Sequence, residues 1–167
     1  MGSVSFSYEL YIFNTSPART YDALISPEDI RAYMLNTGPQ STWGVGDKVL
    51  WKSEADGVFQ DLDQTVTKAS PGEELAYTWH RIQPMHRDLF PNDDDYETAR
   101  KEQTEVSWSL SPFADGGTSG TRVILRHRGF DSKESVMLQG LVEGWAFFMS
   151  SLKTHLEAER PANASRP

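Results

Sequence analysis

The chain has 167 residues, 38% of them hydrophobic, and its 24 acidic against 16 basic side chains give a net charge of −8. That length suits one globular domain, expected over residues 1–159, and the acidic excess argues against nucleic acid or an anionic membrane as partner. The absence of cysteine excludes disulfides and thiolate chemistry; with no basic start leading into an apolar run and no long apolar stretch, the expectation is a cytoplasmic protein without signal peptide or membrane span.

Residues 5–13, SFSYELYIF, place Phe6, Tyr8, Leu10 and Ile12 on one face and predict a strand. Two short helices follow, PARTYDALI after Ser16 and PEDIRAYML after Ser26, each pairing an N-cap serine with proline at the first helical position. Residues 36–46, NTGPQSTWGVG, read as loop. From Asp47 the apolar period is two, predicting strands at 47–53, 57–69, 74–81, 103–111 and 120–128, with turns at Asp56-Gly57, Pro71-Gly72 and Asp115-Gly116-Gly117. One face collects Val49, Trp51, Leu75, Tyr77, Trp79, Val106, Trp108, Leu110, Val123, Leu125 and His127. The other carries Lys48, Lys52, His80, Glu105, Arg122, Arg126 and Arg128, so one face is buried and one wet. Residues 82–102 interrupt the hairpins as a long insertion with a short helix near 94–101, a length that suits a lid or binding loop.

The C-terminal run holds Leu138, Leu141, Val142, Trp145, Phe148, Met149, Leu152 and Leu156 at the three-or-four-residue step of a helical face. Asp131 with Glu134 forms a candidate capping box and Pro161 a stop, predicting a helix over 134–159, about 35 Å long. Residues 160–167 read as a disordered tail. The order predicts an α+β fold: a curved antiparallel sheet of about six strands wrapped around the long C-terminal helix, with two short helices after the first strand.

Several stretches resemble one family. TSPARTYDALISPEDIRAYM, SPGEELAYTWH and above all GTRVILRHRGF followed by EGWAFFMSSLKTHLE are similar to the activators of heat-shock protein 90 ATPase and their homologues, within the START/Bet v-like (SRPBCC) superfamily of helix-grip folds. The matching positions are Gly120, Thr121, His127, Gly129, Phe130, Gly144 and Trp145, and the likeness spans about residues 6–159. Insertion 82–102 is longer than the pattern, and Tyr33 stands where it usually has tryptophan. The resemblance implies a ligand-binding fold with a cavity between sheet and helix and no shared catalytic set. The founding chaperone activators usually have two domains, of which this chain corresponds to the C-terminal one, so direct ATPase stimulation is the weaker expectation.

The candidate cavity residues are Trp51, Tyr77, Trp79, Trp108, His127, Leu141, Trp145, Phe148 and Met149, an aromatic lining of the kind that small-molecule pockets use. The plainer alternative is that they fill the core. His127, at the end of its strand, is placed to meet the pocket rim and orient a ligand or act as a base, against the alternative of a structural histidine. His80 and His155 fall on outer faces and, with His86, show no metal-ligand spacing. The acidic run at Asp93, Asp94, Asp95 and Glu97 lacks the glycine and terminal glutamate of a calcium loop and reads as a solvated segment. His86-Arg87-Asp88 stands without the other kinase motifs, and no serine sits in a nucleophile elbow. No catalytic residue, metal or cofactor is assigned. The first expectation is a binding protein for a small, largely apolar or amphipathic ligand; the alternatives are a chaperone-associated interaction protein and a cyclase or hydrolase using the same cavity.

Overall fold

Period-two alternation produces a single continuous sheet in the computed structural model, which describes residues 1–159. Strand β1 (Val4–Phe13) is followed by helices α1 (Pro17–Ile25) and α2 (Pro27–Tyr33). Then come β2 (Gly38–Gln40), β3 (Lys48–Lys52), β4 (Gln60–Ser70), β5 (Glu74–Thr78), a 3-10 turn (Pro84–Leu89), α3 (Asp93–Lys101), β6 (Glu105–Asp115), β7 (Thr118–Phe130) and α4 (Val136–Glu157). The spatial order is β1-β7-β6-β5-β4-β3-β2, with every neighbouring pair antiparallel. The expected tail at 160–167 lies outside the described residues, among which no helix is long and apolar enough to cross a membrane.

The sheet has one strand more than the expected six. Gly38–Gln40 was read as loop because three residues containing glycine and proline carry no alternation, yet they pair with Leu50–Lys52 as an edge strand, the place where a proline costs no ladder bond. Strand β4 carries an irregularity: between Val49 and Leu50 the partner jumps from Gln64 to Asp61, and Asp63 sits in the left-handed region at φ 61°. Alternation survives the bulge, and Leu62, Gln64 and Val66 all face inward. A second irregularity uses Gly129 at φ 98°, which shifts the β1–β7 register and turns Phe130 into the interior against the His127 ring, 4.8 Å centroid to centroid.

Helix α4 spans 22 residues, about 33 Å, and buries Leu138, Trp145, Met149, Leu152 and Leu156 against the sheet. Its start differs from the predicted capping box. Ser135 is the N-cap and accepts from Leu138 N, while Asp131 N and Ser135 Oγ both donate to the carboxylate of Glu102, at 2.9 and 2.7 Å. Glu102 of the insertion therefore takes the Asp131 N–H that Glu134 would accept in the predicted box. Val142, placed on the buried stripe by spacing, is 36% exposed, and Lys153 and Glu157 are half-buried, with Lys153 donating to Tyr11 O.

Candidate functional site: the aromatic interior and the cleft under the insertion

Strands β3, β5 and β6 and helix α4 bring most of the expected cavity residues together. Trp51, Tyr77, Trp79, Trp108, His127, Trp145 and Met149 are buried; Leu141 and Phe148 are half-buried and pack against the same cluster. The rings form a chain across the interior. Trp51 meets Trp79 edge-on at 4.7 Å, Trp79 meets Trp145 at 5.1 Å, and Trp145 meets Trp108 at 5.5 Å. Offset and edge-to-face contacts of this kind each add roughly 0.5–1.5 kcal/mol beyond the area they bury. Trp43, on the loop before β3, closes one side against Tyr77 at 5.9 Å.

His127 sits at the centre of this cluster and is fully buried, away from any rim. The indole N–H of Trp145 donates to its Nδ1 at 3.0 Å, so the proton of the neutral ring is on Nε2, facing the Thr104 hydroxyl at 2.9 Å. Burial, and to a lesser degree the proximity of His80, pushes its pKa down to about 3. A neutral histidine with both nitrogens engaged is a strut between β7, β6 and α4. A ligand could bond to it only by displacing one of these partners.

A second buried polar group, on β4, is absent from the residues singled out in the sequence. Gln64 is 1% exposed; its Nε2 donates to Thr78 O, while its Oε1 meets no protein donor. The buried Nε1 of Trp79 and Nε2 of His80 likewise have no protein partner. These residues adjoin: the His80 ring stacks on Trp79 at 4.2 Å and 13°, and Trp51 packs edge-on against both. Alternation predicts His80 on the outer face, but β5 ends at Thr78, and two residues on the imidazole stacks on the Trp79 indole. Burial, followed by the nearby His86, lowers its pKa to about 3. The sequence signal for Gln64 was available, since it is the one polar side chain in the inward register between Leu62 and Val66.

The insertion forms a cap over this end of the sheet. Asn92 caps α3 through Asp95 N, and the acidic run Asp93–Asp95 is the first turn of that helix, where carboxylates complement the macrodipole. Phe90 and Tyr96 are its buried anchors, with Arg87 and Arg100 over the tyrosine ring at 5.7 and 5.4 Å. Between the insertion and the start of α4 runs a cleft of about 370 Å³, its apolar wall made by Leu89, Phe90, Pro91, Ala99, Val136 and Met137 and its polar wall by Asp95, Glu102, Asp131 and Glu134. Leu89 and Val136 are 66% and 56% exposed, while Met137 also packs against the interior cluster. Ile82, two residues beyond His80, lines the same cleft.

At the far end of α4, His155 pairs with Asp29 at 2.7 Å, and Arg19 bonds both Asp29 and Glu159. Arg19 in first place, opposed by burial and helped by His155, holds the Asp29 pKa down to about 2. Asp29, His155 and Glu159 offer three ligand atoms within 4.8 Å of one another, yet the guanidinium already lies on both carboxylates. The arrangement is a clamp between α1, α2 and α4 rather than an open coordination site.

A curled antiparallel sheet holding a long C-terminal helix, with two short helices after the first strand, is the helix-grip architecture. A crystal structure of a Mesorhizobium loti protein shares it at 21% identity and TM-score 0.70, covering 95% of this chain and 100% of that one. The solution structure of an Aha1 dimer from Colwellia psychrerythraea matches at 20% identity and TM-score 0.63, covering 95% and 99%. A solution structure from Cytophaga hutchinsonii matches at 21% identity and TM-score 0.64, covering 94% and 96%. No curated protein matches the chain. The family described as activator of Hsp90 ATPase homolog 1-like protein matches residues 14–157, and the chain belongs to that family.

Proposed function

We propose that this protein binds a small, largely apolar or amphipathic molecule, admitted by the cleft between the insertion and α4 and held toward the aromatic interior. The observation that carries the reading is the cleft itself. Its volume of about 370 Å³ falls in the range of small-molecule sites, and it keeps Leu89 and Val136 in water although an apolar partner would cover them. Met137 joins its wall to the interior cluster, so a ligand in the cleft would press on the rings behind it. Binding is favoured over catalysis because His127, neutral and doubly bonded, is a poor base.

The test is tryptophan emission during titration with amphipathic probes, backed by native mass spectrometry of the purified protein. Saturable shifts that compete between probes, with the fold intact, are the expected result. No saturable change across the panel would overturn the reading. It would promote a surface interaction with a chaperone, for which the partly exposed edge-to-face cluster of Tyr11, Phe13 and Phe113 is the supporting feature.

A further inference from the structure

We infer that Gln64, Trp79 and His80 form the head-group recognition point of the bound molecule and that they select a neutral group offering one acceptor and two donors, a primary carboxamide being the simplest. This rests on the ligand-binding reading above and adds the ligand's chemistry to it.

The argument starts from cost. A buried polar atom without a partner costs roughly 1–3 kcal/mol, and native interiors keep few of them. Among the described residues, the buried side-chain atoms without a protein partner are Gln64 Oε1, Trp79 Nε1 and His80 Nε2. They belong to one neighbourhood rather than being scattered, with Trp51 edge-on to both Trp79 and His80 and the Gln64 amide bonded to the backbone of Thr78, the residue before Trp79. Backbone geometry commits further strain to the same place, because the bulge next to Gln64 puts Asp63 at φ 61°. The chain leaving β5 then fixes the bulge: Arg81 N donates to Leu62 O at 3.0 Å, and Gln83 Nε2, on the insertion, to Asp63 Oδ2 at 3.0 Å.

Donor and acceptor roles decide the ligand class. Trp79 Nε1 can only donate and Gln64 Oε1 can only accept. With its pKa near 3, His80 is neutral at physiological pH; we place its proton on Nδ1, the assignment that lets Nε2 accept. One donor and two acceptors match the oxygen and the two N–H groups of a primary amide. A carboxylate would set its charge against two lone pairs, and an ammonium would leave the indole N–H unmet. The apolar remainder of such a ligand would run along Ile82 into the cleft.

The probes are decanamide and N,N-dimethyldecanamide, alike in acceptor and chain but differing in the two donors. The full-length protein is expected to bind decanamide about tenfold more tightly, the size of one well-made buried hydrogen bond. Gln64→Leu, which removes one of the two acceptors, should lower the ratio severalfold. His80→Phe, which keeps the stacked ring and removes the acceptor, should lower the ratio as well, and it preserves the test if Gln64→Leu does not fold. Saturable binding of both probes with equal affinity would mean that the three atoms serve a structural water only; the head-group inference would fall and the binding reading would stand. Saturable binding of neither probe would overturn both.

Discussion

Two histidines on the same aromatic wall show how differently one residue type can be used. His127 and His80 both pack on Trp79, and burial drives both to a pKa of about 3. Around His127 every polar atom is answered: Trp145 donates to one nitrogen, Thr104 faces the other, and Phe6 and Phe130 close the sides. Around His80 the bonds are unfinished, with its own Nε2, the indole N–H and a glutamine oxygen left without protein partners. The His127 end of this wall is finished and stabilising. The His80 end, two residues before Ile82 of the cleft, keeps costs that folding alone does not require, and function is the usual reason such costs persist.

Removing Trp145 should produce the largest effect and tests the finished end. Trp145→Ala deletes a ring that is 1% exposed and strips His127 of a partner, so a loss of about 3–5 kcal/mol is expected in chemical denaturation. A loss below about 1 kcal/mol would mean that this end is no more committed to stability than the other. The next effect is on pH dependence. His127 stays neutral in the fold down to about pH 3, whereas in the unfolded chain it gains a proton near pH 6.5. Its contribution is therefore fully present above pH 6.5 and is lost as pH falls toward 3, at no more than about 1.4 kcal/mol per unit. Asp29, held at about 2 by Arg19, begins to cost stability only below its ordinary value of 3.8. The window from pH 6.5 to 4.5 thus isolates the histidines, and a fall of about 2 kcal/mol per buried histidine across it is expected. His80→Phe should reduce the fall toward the share of His127. A flat profile would contradict the burial of both.

Much of the fold was legible because alternation and helical spacing are properties of the chain itself. The strand pattern around Trp51, Tyr77, Trp79 and Trp108 required only that one face be buried, and tertiary structure obliged. What escaped the sequence depends on contacts between distant segments. Ser135 rather than Asp131 opens α4 because Glu102, on the insertion, binds both Asp131 N and Ser135 Oγ. His127 looked like a rim residue because it is polar and near a strand end, and nothing local announces that Trp145 and Thr104 will close over it. His80 is assigned outward by alternation, which stops applying where the strand stops, after Thr78. Gln64 could have been found, since a glutamine between Leu62 and Val66 in the inward register breaks the alternation that placed Trp51, Trp79 and Trp108.

The smallest expected change in stability is at the cleft, where it is also the most discriminating between the two ends. Leu89 and Val136 stand mostly in water, so the double substitution Leu89→Ser with Val136→Ser removes little buried area and should change stability by less than about 0.5 kcal/mol. If the cleft admits the ligand, both side chains become covered on binding, and at about 25 cal/mol per Å² their loss should weaken an amphipathic probe by about 1 kcal/mol or more. Denaturation and fluorescence titration on the same preparation read the two quantities side by side. Unchanged affinity in the double variant would show that ligands reach the interior by another route. A stability loss comparable to that of Trp145→Ala would show instead that the cleft walls belong to the finished part of the core. Weaker binding with stability intact is the pattern expected of a surface kept apolar for something other than folding.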